Sequence, residues 1–200
     1  MCQHTATPTA PATQPAQAAP HACGCGSHGP AARPEVGRRV PPSHDTDFPE
    51  VPFPTARVLA RVGEEGLRTL VRRHHALLRH SAVGHLFAPD DQTFHRVVET
   101  IADFVVETCG GPAKFTEARG TGCMRTRHFP FTIDEAGRET WLAALYQAIG
   151  DTRFPEELRE EYWSWLEPMS LRMINRRTTK AQPVRIPWAE AGTYFAQVSA

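Results

Sequence analysis

The residues best suited to chemistry are histidines and cysteines, and they fall in three groups. The first is Met124-Arg125-Thr126-Arg127-His128-Phe129-Pro130-Phe131, a single histidine preceded by two arginines and flanked by large apolar side chains. A neutral imidazole is a good iron ligand, and one protein ligand on one face of a metal leaves the other face open for a small molecule. Arginines beside it suit the carboxylates of a haem. The second group is the pair His74-His75, set among Leu70, Val71, Leu77 and Leu78. The third is His21-Ala22-Cys23-Gly24-Cys25-Gly26-Ser27-His28, where Cys23 and Cys25 with His21 and His28 form a candidate second metal site for copper(I) or zinc. Its spacing is CxC, and no second pair follows.

These groups sit in two different kinds of chain. Eleven of the 18 prolines precede Thr55, and residues 1–54 carry almost no large apolar side chains before Phe48. Such a segment has little to bury against the entropy of ordering, so a disordered extension is expected over 1–54. From Thr55 the apolar residues recur every three or four positions, first through Val58, Leu59, Val62, Leu67, Leu70 and Val71. One long helix or two consecutive ones are expected, with a break near Gly63–Gly66. A corner follows at Ser81–Pro89. Asp90 or Asp91 can cap a helix with Phe94, Val97, Val98, Ile101, Phe104 and Val105 on its apolar face, and Gly110-Gly111-Pro112 ends it. Residues 113–131 read as irregular. Thr132 and Glu135 have the spacing of a capping box for a helix carrying Trp141, Leu142, Leu145 and Ile149. Pro155, Glu156 and Glu157 start a last helix, in which Pro168 predicts a kink. No strand-like alternation competes. The body is all-α, with four to six helices over 55–177, and a tail over 178–200 is apolar enough to pack on the body or on a partner.

Composition removes several classes. The charges balance at 22 Lys+Arg and 22 Asp+Glu, which argues against a coat for nucleic acid or an anionic membrane. No run reaches the ~20 apolar residues of a membrane helix, and the start lacks the pattern of a secretory signal. Five cysteines, an odd number, do not suggest a disulfide framework. A soluble, cytoplasmic protein is expected. Dinucleotide loops, P-loops, HExxH and GxSxG elbows are absent.

In order along the body stand Leu86-Phe87, then Gly110-Gly111-Pro112-Ala113-Lys114-Phe115, then the string around His128, then Trp141 thirteen residues after that histidine. This stretch, from about Val58 to Asn175, resembles the truncated haemoglobins, and most of all their second group. The resemblance implies a shortened, globin-like two-over-two helical sandwich with haem b between its layers. It implies His128 as the iron ligand, with Trp141 donating its indole N–H to a ligand on the distal side. Phe87 would pack on the haem plane, and Val97, Ile101, Phe104, Val105, Phe131, Arg125 and Arg127 would line the cofactor. Where the family usually has Phe-Tyr, this chain has His74-His75. Counting back from Phe87 selects His74 as the distal residue, whereas matching Leu70 and Val71 selects His75.

The function implied is binding of dioxygen or another diatomic ligand, as a monomer or homodimer. Peroxidase or nitric oxide dioxygenase activity would draw on an external electron donor, because no reductase domain is fused. The competing readings are a haem-free helical interaction module and a metal-binding protein working through Cys23 and Cys25.

Overall fold

The computed structural model describes residues 48–198 and is all-helical over them, with no strand among the described residues. Residues 1–47, and with them the Cys/His cluster at 21–28, lie outside the described residues. Seven α-helices follow one another: α1 (Ala56–Arg79), α2 (Asp91–Thr108), α3 (Lys114–Arg119), α4 (Met124–Arg127), α5 (Glu135–Asp151), α6 (Glu156–Met173) and α7 (Trp188–Val198). A 3-10 turn, Gly84–Leu86, fills the corner between α1 and α2.

The sandwich is made by α1 packing on both α2 and α5, with α6 on α5 and α7 covering α5 and α6. Gly63 breaks α1 into two segments with φ 76° and ψ 162°, a conformation that L side chains rarely adopt. The expected break is therefore present and has a residue. Asp90 caps α2, its carboxylate accepting the Thr93 N–H at 2.8 Å. The other end of α2 closes when Gly110 takes φ 93° and the Gly111 N–H reaches back to the Val106 carbonyl at 2.9 Å.

Two expectations need correction. The cap of α5 is Asp134, which accepts the Gly137 N–H at 2.8 Å; Thr132 lies outside the helix. Asp134 wins because its short carboxylate stands one residue before the first turn. Glu135 is instead held by Arg177 at 2.6 Å and by the backbone and hydroxyl of Thr178. Second, residues 113–131 carry two short helices, α3 and α4, where irregular chain was expected. Pro168 lies inside α6, as the sequence places it, and is buried.

The core is built from Val58, Leu67, Leu70, Phe94, Val98, Leu142, Leu145, Tyr162, Trp163 and Trp165, all buried. The tail adds Ile186, Ala191 and Phe195 to it. Trp163 fixes this closure by donating its indole N–H to the Ile186 carbonyl at 2.7 Å. Beneath it lies a buried ion pair. Arg138 and Glu167 meet at 2.6 Å with both side chains 2% exposed, and the Ile186 N–H joins the same carboxylate at 3.1 Å. No helix among the described residues is long and apolar enough to cross a membrane.

Candidate functional site

The short helix α4 exists to present His128. Its single turn ends with His128 as C-cap, and the ring folds back so that Nδ1 lies 2.8 Å from the Met124 carbonyl. A carbonyl can only accept, so Nδ1 carries the proton and Nε2 is left with its lone pair. Fixing one ring nitrogen by a backbone acceptor is how metal-ligating histidines are oriented.

The loop after His128 is tied down from a distance. The Asn175 amide donates to the His128 carbonyl at 3.1 Å and to the Phe131 carbonyl at 2.7 Å, and its oxygen accepts the Ile133 N–H at 3.0 Å. The Asn175 and Arg176 N–H groups both reach the Ile133 carbonyl at 3.0 Å. Sequence reasoning missed Asn175. Its one local signal is an amide residue just beyond the end of α6, which does not say what it will hold.

Around this loop, Phe129 and Phe131 stand 57% and 42% exposed, an apolar pair left open among the described residues. The Phe131 ring lies 6.4 Å from that of His128. Arg127 donates to the Arg119 and Gly120 carbonyls and lies over the Phe115 ring, while Arg125 lies over Phe48. The Nε atoms of both arginines are buried without a hydrogen-bond partner.

A second group forms where the end of α1 meets the corner and α5. His74 and His75 are 4% and 6% exposed, so both are interior despite being neighbours in sequence. His74 turns toward α5, its Nε2 donating to the Trp141 carbonyl at 3.1 Å and its ring edge-on to the Trp141 indole at 4.7 Å. His75 turns toward the corner, 6.1 Å from the Phe87 ring, with Nδ1 donating to the Val71 carbonyl at 2.8 Å. Burial holds both imidazoles neutral. It lowers His75 to about 4, opposed by the Val71 bond, and takes His74 well below the usual range with help from its neighbour. The Trp141 indole N–H has no hydrogen-bond partner among the described residues.

On α2, Val97 is 43% exposed. Ile101 and Phe104 are half-buried, and Phe104 packs on Phe115 and Trp165. Val105 points into the core with Val98 and Val106. Thus the structure gathers His74, His75, Phe87 and Trp141, and separately His128, Phe131, Arg125 and Arg127. No hydrogen bond or ring contact joins the two groups among the described residues. A surface cleft of about 410 Å³ beside Arg61, Thr69 and Arg153 contains none of them. Among the described residues no cluster of three or more His, Cys, Asp or Glu side chains could hold a bare metal ion.

Helices stacked in this way, α1 on α2 and α5 with α6 on α5, have the frame of a truncated globin. The bacterial-like globin family model matches residues 60–175. The chain belongs to that family. It is 29% identical over 116 residues to the group 2 truncated haemoglobin YjbI of Bacillus subtilis (strain 168), an alignment covering 58% of this chain and 86% of the relative. Phosphate-bound Hell's gate globin IV shares 44% identity and a TM-score of 0.73, over 84% of this chain and 99% of that one. The truncated oxygen-avid haemoglobin of Bacillus subtilis aligns at 27% identity with a TM-score of 0.54, over 59% of this chain and 98% of that one. The cofactor this family implies is a haem iron.

Proposed function

We propose that the chain binds haem b through His128 and takes up dioxygen or another diatomic ligand beside Trp141, His74 and His75. The observation that carries this reading is the setting of the His128 ring, at the margin of the core with Nδ1 committed to Met124, Nε2 bare and the exposed Phe129 and Phe131 beside it. Three further features fit the cofactor. Phe129, Phe131 and Val97 are large apolar residues left exposed. The buried Nε atoms of Arg125 and Arg127 lack partners, as guanidinium groups awaiting carboxylates would. The Trp141 N–H is available as a donor.

When bound, the haem supplies reversible binding of small ligands and one-electron chemistry at iron. The chain's own residues do the rest. Met124 keeps His128 in one tautomer, and Asn175 fixes the loop that carries it. Phe87 offers an aromatic face at the corner, while Val97, Ile101 and Phe104 line the α2 side. Trp141 offers a hydrogen bond to a ligand carrying partial negative charge. The Bacillus subtilis relative described as oxygen-avid supports oxygen as the ligand. Peroxide or nitric oxide chemistry is the second reading, favoured by two bare imidazole nitrogens that can accept a hydrogen bond.

The test is the visible spectrum of the purified protein, oxidised and reduced. A Soret band that is lost in His128→Ala is expected. A folded wild-type protein that takes up no haem refutes the proposal.

A further inference from the structure

Both buried histidines have their ring proton placed by the backbone. His75 Nδ1 lies 2.8 Å from the Val71 carbonyl, and His74 Nε2 lies 3.1 Å from the Trp141 carbonyl. Each neutral ring has one proton, and a carbonyl partner fixes which nitrogen holds it. Moving it to the other nitrogen would set two lone pairs against each other at 2.8 Å in His75, a side chain too buried for solvent to relieve them. Protonating the ring fully is opposed by burial. A phenol in this place would rotate its O–H freely toward whatever bound. These imidazoles cannot, because their N–H groups are already in use.

We infer that the distal histidines meet a ligand as hydrogen-bond acceptors, through His75 Nε2 and His74 Nδ1, with the Trp141 N–H as the donor beside them. The inference rests on the haem reading above and sharpens its ligand class. Dioxygen, which has no proton to give, is met by the Trp141 N–H alone, whereas a ligand that brings a proton of its own, such as water or hydrogen peroxide, can also donate to the two imidazoles. It also separates Trp141 from the histidines, since the one residue attracts the negative end of a ligand and the others repel it.

Two measurements on the ferrous carbonyl holoprotein test this. In protein labelled with 15N-histidine, long-range proton–nitrogen NMR reads which nitrogen carries the proton. His75 is expected as the Nδ1–H form and His74 as the Nε2–H form, with His75→Leu and His74→Leu giving the assignments. The C–O stretch of bound carbon monoxide reads the pocket's field directly, because a lone pair near the ligand oxygen opposes back-donation from iron and raises the frequency. His75→Leu should lower the stretch and Trp141→Phe should raise it. A His75 protonated on Nε2, or a stretch that rises or stays fixed in His75→Leu, overturns the inference while leaving the haem reading intact. A chain without a Soret band fails the earlier proposal instead, so the two failures are distinguishable.

Discussion

Replacing Glu167 by glutamine should destabilise the protein more than any other change of a single charge. Glu167 and Arg138 are each 2% exposed at the side chain and meet at 2.6 Å. The same carboxylate takes Arg185 at 2.8 Å and the Ile186 N–H at 3.1 Å. Burial already works against the Arg138 charge, pushing its affinity for the proton down, and Glu167 is the group that opposes this most. In Glu167→Gln the guanidinium stays buried and charged without its ion-pair partner, with Glu139 the weaker opposing charge that remains. Removing one partner of a buried pair costs about 3–5 kcal/mol. Glutamine keeps one acceptor oxygen for Arg138 or Ile186, so the low end, about 3 kcal/mol, applies. For a domain of this size that is a fall in Tm of roughly 6–12 °C, at 2–4 °C per kcal/mol. The assay is urea and thermal unfolding followed by far-UV circular dichroism, with tryptophan emission recorded in parallel. Trp163 is bonded to the Ile186 carbonyl at 2.7 Å, so its environment should open as the tail loosens. A Glu167→Gln protein within about 1 kcal/mol of wild type would refute the reasoning, because it would place water or another anion beside Arg138.

The remaining predictions concern the site and the thiol. Asn175→Ala removes three side-chain hydrogen bonds from the His128–Ile133 loop; at about 1 kcal/mol each, discounted for partial exposure, it should cost about 2 kcal/mol, and haem should dissociate faster to a scavenger globin. The His75 side chain is lowered from 6.5 to about 4; the unfolded chain binds its proton first, so stability falls as pH drops from 6.5 toward 4. This amounts to about 3 kcal/mol, His74 acts in the same direction, and acid unfolding of His75→Leu should show a flatter slope. Cys109 is fully buried and pushed up to about 12 by that burial; it should resist alkylation by iodoacetamide at pH 8 until the protein unfolds.

Periodicity and end signals made the main helices legible, since amphipathic spacing and capping are local. The break at Gly63, the cap at Asp90 and the stop at Gly110-Gly111 needed no tertiary information. The errors arose where distant residues intervened. Glu135 has the spacing of a capping-box residue, but Arg177 and Thr178 claim its carboxylate from 42 and 43 positions away. Arg138 and Glu167 look like surface charges in the sequence, and only the packing of α5 on α6, closed by the tail, puts them inside. Likewise the apolar residues of the tail were visible, whereas the helix α7 and its docking through Ile186 depend on a core that composition cannot display. Val97, Phe129 and Phe131 show a different limit. Their exposure means something only beside an oriented His128.

His75 and His128 share one local device: Nδ1 lies 2.8 Å from the carbonyl four residues earlier, and Nε2 is bare. Local structure therefore cannot decide which of them is the metal ligand. Their settings differ. His75 is 6% exposed within a long helix, packed against His74 and Phe87. His128 is half-buried at the end of a four-residue turn, with its loop fixed by Asn175 and with uncovered phenylalanines beside it. A ring that is already surrounded by protein has no room for a large planar cofactor against it. A ring at the margin of the core, held by hydrogen bonds behind it and apolar surface beside it, has that room. On the proposed haem reading the same imidazole geometry would serve as anchor at His128 and as a buried acceptor at His75, and the surrounding packing, which the sequence motif alone does not carry, would make the difference.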